Sequence, residues 1–203
     1  LHEYTVVDHP KKTIIFGLVL ISIVVSHFIA HAIVWLRHFN IEFTYTVGSF
    51  TVFGLIYILF NKWIWRSILF RKPFRFPNLA GQWECTGLST NTELGEQFKW
   101  DGTTKITQSW DKILISLQTR SSSSASLSLT GGIKYVPGVG YKVSYHYENI
   151  PSANADRDMH RHEGFCVLTF SDDLTTADGY YFNNIKERTS YGEMKLKGRL
   201  KNG

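Results

Sequence analysis

Two hydrophobic rhythms divide the chain near residue 75. Before it, apolar positions come in long unbroken runs; after it, they alternate with polar ones. The first run, residues 13–35, carries only Ser22, Ser26, His27 and His31 as markedly polar positions after Thr13. A helix crosses a bilayer core of about 30 Å with about 20 mostly apolar residues. This run therefore predicts a first span. The second run, residues 43–60, extends to residue 65 if Lys62 snorkels and Trp63 and Trp65 sit at the interface. Spans at about 13–36 and 43–65 leave only a tight connection, so the pair predicts a helical hairpin. The first run exceeds the apolar centre of a signal peptide, about 7–15 residues, and no small-x-small cleavage site follows it. Pro73 and Pro77 are expected to stop the second helix before the next segment. Residues 1–75 thus read as a membrane anchor with two transmembrane helices.

From Leu79 onward the period is two. It predicts eight strands, at about 81–89, 97–109, 112–120, 124–131, 140–148, 162–170, 177–187 and 192–201. Turn-forming triplets such as Ser109-Trp110-Asp111, Pro137-Gly138-Val139 and Ser171-Asp172-Asp173 separate several of them. Sequential pairing of so many strands predicts an all-β, eight-stranded up-and-down barrel over residues 76–203, which has no free edge. A barrel of that size holds side chains alone or one small ligand. Alternation puts Ile113, Ile115 and Leu117 on one face, and likewise Tyr141, Val143, Tyr145 and Tyr147. In the last strand Met194, Leu196 and Leu200 oppose Lys195, Lys197, Arg199 and Lys201.

Charge sharpens this division. The chain carries +5, and all of the excess lies in residues 1–75, with eight Lys/Arg against three Asp/Glu. Residues 76–203 hold fourteen of each. Basic residues stay on the cytoplasmic side. Lys11 and Lys12 before the first span, and Lys62, Arg66, Arg71, Lys72 and Arg75 after the second, predict a multi-pass protein of the cell inner membrane with both termini cytoplasmic. A neutral barrel lacks the basic face that a DNA or RNA polymer requires. Cys85 and Cys166 are expected to be reduced, buried thiols. Ser22, Ser26 and Ala30 recur every four residues and form a small-residue stripe. It fits either an interface between subunits of a homo-oligomer or packing against the second span of the same chain.

Candidate chemistry is sparse. The chain has no P-loop, G-x-S-x-G, HExxH or paired CxxC, so nothing argues for an enzyme. The segment Asp156-Arg157-Asp158-Met159-His160-Arg161-His162-Glu163 offers ligand-type side chains, but not at a metal-site spacing. It predicts a solvated loop, with Arg157 or Arg161 available to an anion. No catalytic residue, metal or resident cofactor is expected. Ser121–Ser124 predicts a hairpin turn. Gly81-Gln82-Trp83 is the G-x-W that opens lipocalin barrels, with Arg199 placed to lie across the Trp. It keeps open an alternative, a membrane-anchored barrel for a small apolar ligand. In Tyr180-Tyr181-Phe182-Asn183-Asn184, aromatics followed by amides are suited to stack a base and read its edge, while Arg120 or Arg188 meets a phosphate. The same residues also fit a plain aromatic rim. The candidate ligand set is Trp83, Arg120, Tyr145, Tyr181, Asn183 and Arg188.

Two spans with almost no external loop, a basic exit and then a barrel beginning Leu79-Ala80-Gly81-Gln82-Trp83-Glu84-Cys85 resemble a known family. So do Gly179-Tyr180-Tyr181-Phe182-Asn183 and Gly192-Glu193-Met194-Lys195-Leu196-Lys197-Gly198-Arg199. The chain looks like the two-transmembrane β-barrel effectors of CBASS anti-phage defence, the membrane-disrupting proteins associated with CD-NTase enzymes. The resemblance covers the whole chain and rests on architecture. It implies that the barrel receives a cyclic dinucleotide as activating ligand, that the chain then oligomerises among membrane lipids, and that the spans breach the inner membrane and kill the cell.

Overall fold

The structure, a computed structural model, describes the chain apart from residues 40–47, 93–94, 121–123, 152–160, 186–187 and 201–203. The side chains of residues 37, 124, 151, 184, 185, 188, 189, 199 and 200 are also outside the description. Two compact units emerge: Leu1–Asp8 together with Arg75–Gly203, and His9–Phe74.

The second unit is helical. Helix α1 runs Lys11–Arg37, about 40 Å at 1.5 Å per residue, which is enough for a bilayer core. Phe16, Leu20, Ile21, Val24, Phe28 and Val34 are exposed along it. Such an exposed apolar face is at home in lipid rather than water. Helix α2, Ser49–Lys62, is about 21 Å long and by itself falls short of the core thickness. The start of the expected second span, residues 43–47, lies outside the described residues. The helix ends earlier than the prolines suggest. Trp63 leaves helical geometry, a single 3-10 turn follows at Ile64–Arg66, and Ser67 is extended. Helix α3, Ile68–Phe74, then departs at 78° and contains Pro73 in its last turn. Proline is tolerated there because the break has already occurred upstream. Ser26 Oγ donates to Ile23 O at 2.8 Å and lies 2.8 Å from Ser49 Oγ of α2. Ser22 is buried and donates to Val19 O at 2.7 Å, while Ala30 is exposed.

The first unit is a sheet of nine strands. Eight follow the predicted alternation: β2 Gly81–Asn91, β3 Gln97–Gln108, β4 Lys112–Thr119, β5 Ser124–Val136, β6 Gly140–Pro151, β7 His162–Phe170, β8 Thr176–Ile185 and β9 Arg188–Leu200. Each pairs antiparallel with the next, and β9 returns to β2, which closes the barrel. A register shift between Gln82 and Glu84 of β2, opposite Gly198 at φ 64°, interrupts the alternation of β9 before Arg199 and Leu200.

The ninth strand, β1 (His2–Val6), comes from the segment expected to belong to the anchor. Its reason is a gap. Strands β4 and β5 pair directly only at Ser116–Gln118 with Ala125–Leu127, because β5 shifts register between Ser128 and Thr130. Beyond that point both would expose unpaired backbone, a costly edge. β1 fills the gap, antiparallel to β4 at Ile113 and Lys112 and parallel to β5 along Gly131–Ile133. A buried polar network fixes it there. Gln108 Oε1 accepts from Leu79 N at 2.7 Å, and its Nε2 donates to Tyr4 OH at 2.9 Å and Pro77 O at 3.1 Å. Tyr4 OH donates to Ser109 O at 3.1 Å.

The packed core occupies this same end of the barrel. Leu79, Trp83, Ile106, Ile133, Leu168 and Phe170 are essentially inaccessible. Trp83 meets Phe170 edge-on at 5.3 Å and donates from Nε1 to Leu79 O at 3.3 Å.

Candidate ligand-binding site

Interior positions nearer the other end, where β2 joins β3 and β8 joins β9, do not close. They line a cavity of about 390 Å³, within the size range of small-ligand pockets. Its walls are aromatic and polar. Phe98, Trp100, Tyr145, Tyr147 and Tyr181 supply rings, and Asn149, Asn183, Ser126 and Ser190 supply amides and hydroxyls. Lys99 and His162 are its basic members, and no Asp or Glu lines it among the described residues.

The hollow follows from missing side chains. Tyr147 pairs with Gly164, Trp100 with Gly87 and Tyr181 with Gly192. In each pair a Cβ on the glycine would overlap the neighbouring ring. Each ring therefore lies along the wall over its glycine, and the barrel's middle stays open. The rings are also pinned. Trp100 Nε1 donates to Tyr181 OH at 3.0 Å, and Tyr181 OH hydrogen-bonds Ser89 Oγ. Trp100 and Tyr181 stand edge to face at 6.0 Å. Burial raises the Tyr145, Tyr147 and Tyr181 hydroxyls above the ordinary phenol value, so they remain protonated donors at neutral pH. Burial likewise pushes the Cys85 and Cys166 thiols up to about 12. Cys166 donates to Met194 Sδ at 3.6 Å.

The sequence candidates separate on this geometry. Tyr145, Tyr181 and Asn183 come together in the cavity. Trp83 lies in the packed base, nearer the start of β2 than the cavity residue Ser89. Arg120 follows cavity residue Thr119 at the end of β4 and pairs with Asp101 at 3.2 Å. The side chain of Arg188, and Asp156–His160 of the polar loop, lie outside the described residues, as does the turn at 121–123. Arg161 is engaged by Glu148, and His146 Nε2 meets Glu163 Oε2 at 3.0 Å. Sequence reasoning passed over Phe98, Trp100, Asn149 and Ser190 as ligand positions. Strand alternation marks Phe98 and Trp100 as inward-facing, but it does not say at which height the barrel is hollow.

A strand barrel with one end packed and the other hollow and aromatic belongs to the class of small-ligand barrels. The comparisons narrow that class. Residues 74–198 match the family model described as Cap15, cyclic dinucleotide receptor domain, and residues 12–66 match Cap15, TM helices. A CD-NTase-associated protein 15 from Yersinia aleksiciae is 32% identical over 206 residues, covering 96% of each chain. The chain belongs to the Cap15 family: a cyclic dinucleotide receptor domain joined to transmembrane helices.

Proposed function

We propose that this chain is a CBASS effector whose barrel cavity binds a cyclic dinucleotide, after which the chain assembles in the inner membrane and breaches it. The observation that carries this reading is a cavity of rings and amides, lined by no carboxylate among the described residues, within the segment matched by the receptor-domain model. A cyclic dinucleotide brings two stacking surfaces, hydrogen-bonding base edges and two anionic phosphates. Rings accept the first, amides the second, and no acid among the described lining residues repels the third. Tyr145, Tyr181 and Asn183 are the proposed base contacts. Lys99, Arg120 and Arg188 are the proposed phosphate contacts at the rim. Trp83 is proposed to support the base of the barrel instead. The apolar-ligand alternative is disfavoured, because it would cover the Asn149 amide and the Asn183 NH2 without giving them partners. The role is that of a receptor rather than a catalyst: buried thiols held protonated are poor nucleophiles.

The strand order supports the hairpin and the shared side of the termini. β1 and β2–β9 belong to one sheet, so residues 8 and 75 lie on the same side of any membrane. The helical segment between them then crosses an even number of times, and its basic flanks orient it with the barrel in the cytoplasm. Assembly is assigned to the small-residue stripe at its exposed member Ala30, since Ser26 is engaged with Ser49 within the chain.

Calorimetry on the detergent-solubilised full chain with a panel of cyclic dinucleotides tests the reading. Saturable binding to at least one is expected, together with ligand-dependent dye release from vesicles containing the chain. Indifference to the whole panel, with an apolar molecule recovered by solvent extraction, would transfer the cavity to the alternative.

A further inference from the structure

Asn183 is 4% exposed and faces the cavity from β8. Its Oδ1 receives two donors from the paired residue of β9: Ser190 N at 2.8 Å and Ser190 Oγ at 2.7 Å. A backbone N–H can only donate, so the amide atom facing it has to be the oxygen. Both lone pairs of that oxygen are thereby engaged. What Asn183 has left for a ligand is its NH2, and no group among the described residues takes those hydrogens. The adjacent Tyr181 hydroxyl does not compensate as an acceptor, being shared between Trp100 and Ser89.

We propose that Asn183, locked by Ser190 into a donor-only orientation, makes the receptor prefer cyclic dinucleotides bearing a keto base, guanine or uracil, over those bearing adenine. This rests on the cyclic-dinucleotide reading above. Asparagine ordinarily recognises adenine with both ends of its amide, the oxygen accepting from N6 while the NH2 donates to N7. Here the oxygen is not available. On the N6/N7 edge adenine keeps only the N7 contact, and its N6 hydrogens point at an NH2 group. Guanine offers two acceptors on the same edge, O6 and N7, and uracil offers O4. The stacking rings do not oppose this choice, because every base has a π-face. Asn149, the other buried amide of the cavity, has no comparable anchor among the described residues. Either of its ends can face a base, so it does not discriminate.

The test compares cyclic di-GMP and cyclic di-UMP with cyclic di-AMP, by calorimetry on the detergent-solubilised full chain. At least one keto ligand is expected to bind about tenfold or more tightly than cyclic di-AMP, a margin of about 1.4 kcal/mol. Asn183→Asp keeps an oxygen for the two Ser190 donors but replaces the cavity-facing NH2 with an acceptor. Its added charge weakens every anionic ligand, so the readout is the affinity ratio, which is expected to fall by about tenfold or to reverse. Asn183→Ala decides the matter if the Asp variant does not fold, and its ratio is expected to approach one. Wild-type protein that binds cyclic di-AMP as tightly as both keto ligands, or variants that keep the wild-type ratio, would overturn the inference and leave the receptor standing. Failure to bind either keto ligand while another member of the cyclic dinucleotide panel binds would likewise overturn the inference and leave the receptor standing, and indifference to the whole panel would remove both.

Discussion

At the scale of single residues, the barrel interior is a collection of protons held in place by burial. Cys85 and Cys166 have thiols pushed from the ordinary value near 9 up to about 12, and burial is the leading cause for both. The tyrosines of the cavity move in the same direction. The sign follows directly. An unfolded chain releases thiol protons from about pH 9, whereas the folded chain holds them until about pH 12. The stability contributed by these groups is complete below pH 9 and declines as pH rises from 9 towards 12. The melting temperature should therefore stay level from these groups between pH 6 and 8.5, and fall steadily above pH 9. At pH 8, iodoacetamide should modify the native thiols far more slowly than the denatured ones, since both access and thiolate are lacking. Rapid native alkylation would show that neither thiol is held as described.

At the scale of elements, what matters is which strand positions lack a side chain and which strand ends need a partner. Gly192 leaves room for Tyr181, and Gly164 for Tyr147. Gly192→Ala should push the Tyr181 ring off the wall, break its bond to Ser89 and narrow the cavity. Ligand affinity is expected to drop about tenfold or more, with stability lowered by about 1–3 kcal/mol for overpacking. A calorimetric titration beside a denaturant curve reads both, and unchanged affinity would contradict the cavity's assignment. A second prediction concerns β1. Gln108→Leu leaves Leu79 N–H and Pro77 O without their partner and removes the donor to Tyr4. It should cost about 2–3 kcal/mol and release residues 2–6 to faster amide exchange. These two elements also mark what could be read from the sequence. The eight long strands were legible because strict alternation, as in residues 112–120 and 192–197, has one inexpensive solution. β1 was not, because five residues carry too little pattern and its place is set by a shift in a distant strand. Tyr145, Tyr181 and Asn183 were legible as inward-facing polar aromatics and an amide beside them. Trp83 looked equivalent by the same alternation, and only its packing against Phe170 and Leu79 O separates it from them.

At the scale of the whole molecule, one sheet holds two stretches of chain that the helical segment separates. β1 precedes His9–Phe74 and β2–β9 follow it, yet β1 sits between β4 and β5. No thread of chain can enter a membrane from β1 and emerge on the far side while this sheet is intact. This pairing supports the even number of crossings proposed above independently of the composition of α2, whose 14 residues fall short of a span by themselves. It also makes the anchor a closed loop of the barrel rather than a tail. The stretches that flank the helical segment are both tied into the barrel: Val7 N donates to Ile133 O at 2.8 Å, and Arg75 stacks over Tyr135 at 5.0 Å. This leads to a topological prediction. Single cysteines introduced at Glu3 and at Lys142, in a Cys85→Ala/Cys166→Ala background, should both resist a membrane-impermeant maleimide in intact cells. Both should react once the inner membrane is opened, Lys142→Cys readily and Glu3→Cys at the barrel seam more slowly. If the cysteine at position 3 reacts from outside while that at position 142 does not, β1 is not part of the barrel in the cell, and the even-crossing argument falls with it.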